Sequence, residues 1–99
     1  MLIVAGTFEV DPARRDEFLA GREAAMRTSQ AEGGCLDYVL SADPLVPGRV
    51  RLFERWESKE DLKAHLAAMR GAPRPEGGVP ILSSEVLQYE IASTGRVGS

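Results

Sequence analysis

The sequence predicts an α+β domain of ferredoxin-like order, β-α-β-β-α-β, in which a four-stranded antiparallel sheet carries both helices on one face. Three observations predict it. Residues 2–10, 35–41, 50–56 and 84–91 are rich in β-branched and aromatic residues or alternate with a period of two. Residues 13–31 and the stretch after Ser58 repeat apolar residues at helical spacing. Glycine and proline fall between these segments.

Leu2 to Val10 is a nearly continuous apolar run, the pattern of a strand covered on both faces. Asp11-Pro12 ends it and opens a helix, since Asp caps well and Pro suits the first helical position. From Ala13 to about Ala31, Phe18, Arg22, Ala25, Met26 and Ser29 share one face, with Leu19 widening it. Arg14, Arg15, Glu23 and Arg27 read as the solvated side. Gly33-Gly34 is expected to end the helix in a left-handed cap.

In the second strand, Leu36, Tyr38 and Leu40 are expected to point one way and Cys35, Asp37 and Val39 the other. Pro47-Gly48 suits the centre of a type II turn, which joins this strand to the third as a hairpin. In the third, Val50, Leu52, Glu54 and Trp56 share a face opposite Arg51, Phe53 and Arg55. Ser58-Lys59-Glu60-Asp61 resembles a capping box with Asp in place of Glu. Leu62, His65, Leu66 and Met69 are expected to form the buried face of the helix it opens. Ala72 to Pro80 has no helical period and reads as a loop. The domain is expected to occupy residues 1–92, with residues 93–99 as a small polar tail.

The bulk composition narrows the partners. The chain has 99 residues, 43% apolar and 27% charged, with a net charge of −3. Nucleic acids and anionic membranes select basic surfaces, so neither is expected as a partner. The third strand also lacks the basic, aromatic pattern of RNA-recognition sheets. No run approaches the roughly 20 apolar residues of a membrane helix. One cysteine, Cys35, and the absence of a secretory leader pattern lead us to expect a cytoplasmic protein. Cys35 reads as a small buried filler. Every strand has apolar residues on both sides, so a lone sheet would expose one apolar face. A homodimer is the expected solution.

Two motifs carry a family likeness. Gly34-Cys35-Leu36-Asp37-Tyr38 resembles the G-C-x-x-Y opening of the second strand in the antibiotic biosynthesis monooxygenase family. Glu54-Arg55-Trp56-Glu57-Ser58, followed by His65, resembles that family's E-x-W-x-S…H signature. The resemblance runs from Met1 to about Ile91. It implies a dimeric α+β barrel with one pocket per protomer between helices and sheet. It also implies activity like that of quinol and anthrone oxygenases, which use neither metal nor flavin. The chain departs from the pattern at Ala72 to Pro80, where relatives place another short helix and where the loop is expected to border the pocket. The haem-degrading branch relies on an Asn in the first strand, and this chain contains no Asn.

The candidate site follows from these residues. His65 is either a packed core histidine or a general base for a phenolic substrate, because imidazole with its usual pKa of about 6.5 is mostly neutral at pH 7. Trp56 is either a core anchor or a wall against a planar ligand. Glu54, on the same strand face, needs a partner if buried. Tyr38 and Tyr89 bring hydroxyls, each serving either the sheet or a ligand oxygen. Leu52, Leu62 and Met69 complete the expected substrate-binding lining around Trp56, Glu54 and Tyr38. The indole and imidazole are expected to look into one apolar hollow that admits a flat guest. Neither a cofactor nor a metal is expected: one His without a neighbouring Cys or second His does not make a zinc site, and there is no Gly-rich phosphate loop. The favoured activity is cofactor-independent monooxygenation of a small planar phenol, hydroquinone or anthrone. A non-catalytic aromatic-binding module, or an isomerase or decarboxylase on the same barrel, stands as the alternative.

Overall fold

A computed structural model describes residues 1–72 and 78–98. Strands β1 (Leu2–Glu9), β2 (Cys35–Ala42), β3 (Arg49–Trp56) and β4 (Ser83–Glu90) form one antiparallel sheet in the order β2-β3-β1-β4. Helices α1 (Arg15–Ala20), α2 (Glu23–Gln30) and α3 (Lys59–Gly71) complete the ferredoxin-like fold. Among the described residues, no helix is long and apolar enough to cross a membrane.

The first helix is divided. Asp11 Oδ1 accepts from the Ala13 N–H at 2.9 Å, and Pro12 opens a short 3-10 turn, Pro12–Arg14, before α1. Gly21 and Arg22 then separate α1 from α2, where Arg22 N–H bonds back only three residues, to Leu19 O at 3.0 Å. Phe18 and Ser29 are buried as the spacing requires, while Ala25 is exposed. The Arg22 guanidinium lies over the Phe18 ring, 4.9 Å from its centre.

Arg15 corrects the solvated-face reading. Its Nη1 donates to the carbonyls of Asp43, Val46 and Arg49 at 2.9, 2.8 and 3.3 Å. A helix residue thus pins the β2–β3 connection, whose own Asp43 Oδ1 accepts from the Leu45 and Val46 amides. Arg51 completes that knot by pairing with Asp43 at 2.8 Å. Within the turn, Gly48 does not adopt positive φ, so Pro47-Gly48 is not a type II turn. Glycine is required there by close approach instead: a Cβ would stand 2.6 Å from the Val10 carbonyl, whose residue's N–H bonds to Gly48 O.

The core lies on the helix-facing side of β2, β3 and β1. It holds Leu2, Val10, Phe18, Tyr38, Leu40, Val50, Leu52, Trp56 and Leu62. Burying these side chains at roughly 1.5–3 kcal/mol each is the main drive for folding. In this single chain β1 is covered on one face only. Ile3, Ala5 and Thr7, on the opposite face, are half-buried. Every residue of β4 is exposed.

Two further expectations change. The helix end does not use both glycines, since only Gly34 has the left-handed φ, +80°. The pairing of β2 with β3 slips between Cys35 and Asp37, a β-bulge. The extra residue brings Cys35 opposite Trp56 and against the core, and leaves Leu36 exposed, the reverse of strict alternation. Burial raises the Cys35 thiol pKa, which favours the thiol over the nucleophilic thiolate.

Candidate active site

β3 places Glu54 and Trp56 two residues apart, hence on one face, and both are buried. β2 runs beside it with Tyr38 paired to Glu54. α3 then crosses this face. Its start is set by Ser58, whose Oγ accepts from the Asp61 N–H and donates to the Asp61 carboxylate at 2.7 Å. Asp61 also packs against Gly34, the residue whose carbonyl accepts from the Glu57 N–H at 2.8 Å. With its first turn locked, α3 buries Leu62 and His65.

His65 is 1% exposed and lies amid aromatic and acidic groups. Its ring centre is 4.8 Å from that of Trp56 and 5.4 Å from that of Tyr38. Nδ1 and Glu32 Oε1 form a hydrogen-bonded pair at 2.7 Å. Nε2 faces Glu54 Oε1 across 3.9 Å, too far for a hydrogen bond. Glu54 Oε1 in turn accepts from the Trp56 indole N–H at 2.9 Å. The result is one imidazole between two carboxylates, one buried and one partly exposed.

Burial pushes the Glu54 carboxyl up, against the lowering effects of the Trp56 N–H and His65. Burial, with the Glu54 charge beside it, pushes Tyr38 up to about 12, so the phenol is a neutral donor at pH 7. The cluster thus presents an imidazole nitrogen and a carboxylate beside Tyr38, whose phenol keeps its proton and can only offer a hydrogen bond.

His65, Trp56, Glu54, Tyr38, Leu52 and Leu62 come together as a packed cluster. Met69 does not join them: it and Leu66 are 50% and 41% exposed on the outer turns of α3, which corrects the expected buried face. The expected hollow between indole and imidazole is also corrected. Rings 4.8 Å apart are in contact, and Trp56 has no exposed surface. Open space among the described residues lies elsewhere. One shallow depression of about 250 Å³ adjoins Gln30 and Cys35. Another, of about 320 Å³, lies over Thr7, Arg51, Leu87 and Tyr89 on the helix-free face. The loop expected to border the pocket falls mostly at residues 73–77, outside the described residues.

Sequence reasoning missed Glu32. It follows α2, and its contact with His65 spans 33 positions. The only local hint is an acidic residue at a helix end just before a glycine pair.

Residues 1–69 match the family model described as antibiotic biosynthesis monooxygenase. The chain belongs to the antibiotic biosynthesis monooxygenase family. Among curated proteins it is similar to the uncharacterized protein sll1783 of Synechocystis sp., at 27% identity over 95 residues. That match covers 94% of this chain and 65% of the relative, so the chain spans about two-thirds of that protein's length. A crystal structure from Deinococcus radiodurans assigned to the same family superposes with a TM-score of 0.75 at 21% identity, covering all of both chains. The haem-degrader MhuD of Mycobacterium tuberculosis, solved with two haems in its active site, superposes with a TM-score of 0.71 at 16% identity. It covers 97% of this chain and 100% of its own. At these identities the two structures establish a shared fold.

Proposed function

We propose that this member of the family is a cofactor-independent monooxygenase that oxidises a small planar phenol, hydroquinone or anthrone with O2. The observation that carries the reading is the His65 imidazole held between Glu32 and Glu54 and in contact with Trp56 and Tyr38. Triplet oxygen reacts slowly with closed-shell organic molecules unless the substrate gives up one electron. A deprotonated hydroquinone or anthrone does so. The protein's part is to remove the proton, exclude water and steady the anion. His65 is the base, and the neutral Tyr38 phenol and the Trp56 indole border the anion. Electron transfer from that anion to O2 gives a radical pair. Its collapse forms a C–O bond in a peroxide anion, which takes the proton back from the His65 imidazolium, and loss of water from the resulting hydroperoxide leaves a carbonyl.

Because His65 and Trp56 are buried, this reading requires the part of α3 beyond its capped first turn to shift outward as substrate enters. The exposed Leu66 and Met69 of that helix, together with exposed Val86 on β4, offer an apolar approach. The working unit in this reading is a homodimer, closed through the helix-free sheet face that carries Val39, Leu87 and Tyr89. The haem chemistry of MhuD is not carried over, because the likeness is one of fold and this chain lacks the first-strand Asn on which the haem-degrading branch relies.

One observation favours a second reading. The direct contact of two fully buried rings is what a structural core would show, and a binding module for small aromatics would need no reactive base. Oxygen uptake with a panel of hydroquinones and anthrones separates the two. Uptake by wild type that is lost in His65→Ala is expected. Equal rates in both remove His65 from the mechanism. A compound that raises the melting temperature and is recovered unchanged under oxygen supports binding alone. Product formed without oxygen consumption points to isomerisation or decarboxylation.

A further inference from the structure

The acidic group facing His65 from the α2–β2 connection is not accounted for by the base itself. We propose that Glu32 is a positioning residue: its carboxylate takes the Nδ1–H of His65 and so fixes the tautomer whose Nε2 lone pair is the base. The proposal rests on the reading of His65 as a base and adds the residue that orients it.

The argument is geometric. An ionised carboxylate only accepts hydrogen bonds. The Nδ1 to Oε1 distance of 2.7 Å lies in the range of charge-assisted bonds. On the other edge of the ring, Glu54 Oε1 is 3.9 Å from Nε2 and already accepts the Trp56 N–H at 2.9 Å. A proton on Nε2 would have no acceptor within bonding distance there, whereas a proton on Nδ1 has one. Tyr38 meets the ring edge-on from β2 and its hydroxyl pairs with Ser29, so it offers Nε2 no competing acceptor.

Glu32 is itself held in place. Its N–H donates to Ser29 O at 3.1 Å and its carbonyl accepts from the Cys35 N–H at 3.2 Å. Its side chain keeps 25% exposure, so the carboxylate remains hydrated while the imidazole is dry. When Nε2 takes a proton from substrate, the new imidazolium charge lies against this carboxylate. The protons balance: substrate O–H or C–H loses one, Nε2 gains it and later gives it to the peroxide anion, and Nδ1 keeps its own against Glu32 throughout.

His65 is the only histidine, so selective 15N labelling reports a single ring. Long-range 1H–15N spectra at pH 8 are expected to show a protonated Nδ1 and a bare Nε2 in wild type. Glu32→Ala should populate both tautomers. Glu32→Gln, whose amide oxygen still accepts, should retain Nδ1–H. With a turned-over hydroquinone, kcat should fall roughly tenfold or more in Glu32→Ala, less in Glu32→Gln, with KM little changed. Protonation at Nε2 in wild type, or an unaltered tautomer in Glu32→Ala, would overturn the proposal. The wild-type spectrum decides even if a variant fails to fold. Because the spectra need no substrate, absence of oxygen uptake would remove the monooxygenase reading and leave the tautomer assignment to be judged separately.

Discussion

Glu54 and Trp56 form a hydrogen bond within a single strand: the indole Nε1–H donates to Oε1 at 2.9 Å, two residues back along β3. The E-x-W spacing therefore has a physical content. Alternation places both side chains on the buried face, and the indole supplies the donor that a buried carboxylate requires.

Trp56→Phe keeps most of the ring volume and removes that donor. It should cost about 2 kcal/mol, the range for stranding a buried charged acceptor. Equilibrium urea unfolding measures the loss. A change within experimental error would show that Glu54 is satisfied by another group.

The raised Glu54 pKa gives a pH signature. A folded-state pKa above the unfolded value means that the native state binds the proton more tightly. Its contribution to stability is full at low pH and falls as pH rises from the ordinary value of 4.5 through the raised one. Glu54→Gln removes this loss. Its melting temperature relative to wild type should therefore climb as pH rises above the ordinary value of 4.5 and level off once the raised pKa is passed. A constant offset across that range would contradict it.

Gly34 and Gly33 are adjacent but unequal. Gly34 has φ of +80° and packs against Asp61, whereas nothing lies within 4 Å of a Cβ built on Gly33. Gly34→Ala should cost at least about 1–2 kcal/mol from the left-handed backbone alone. It should also loosen the Ser58–Asp61 cap. Gly33→Ala should be near neutral, and thermal melts of the two side by side make the comparison.

Much of this was legible locally. Strand alternation from Val50 to Trp56 set the buried face of β3, and Ser58 marked the start of α3 within a residue. What escaped was non-local or depended on one inserted residue. The bulge at Cys35–Asp37 reverses the facing of Cys35 and Leu36, and period-two reading has no means of detecting an extra residue. Arg15 and Glu32 look like surface charges on helical periodicity. Their partners are carbonyls and an imidazole 28 to 34 positions away. Gly21 was visible in the sequence, but its effect in splitting α1 from α2 competes with strong apolar spacing on either side.

The helix-free face of the sheet yields the last prediction. By register, Val39 and Phe53 on neighbouring strands, Ile3 and Ala5 on β1, and Leu87 and Tyr89 on β4 all point away from the helices. Leu87 is 53% exposed and Tyr89 47% exposed in the single chain. Covering such a face with its symmetry mate buries apolar surface at about 25 cal/mol per Å² and needs no new fold. Sedimentation equilibrium of the wild type at micromolar concentration should give twice the chain mass. Leu87→Lys would bury an unpaired ammonium in that interface, so it should shift the species toward the single-chain mass while far-UV circular dichroism stays unchanged. A wild type that sediments as a single chain would remove the dimer from the proposed mechanism.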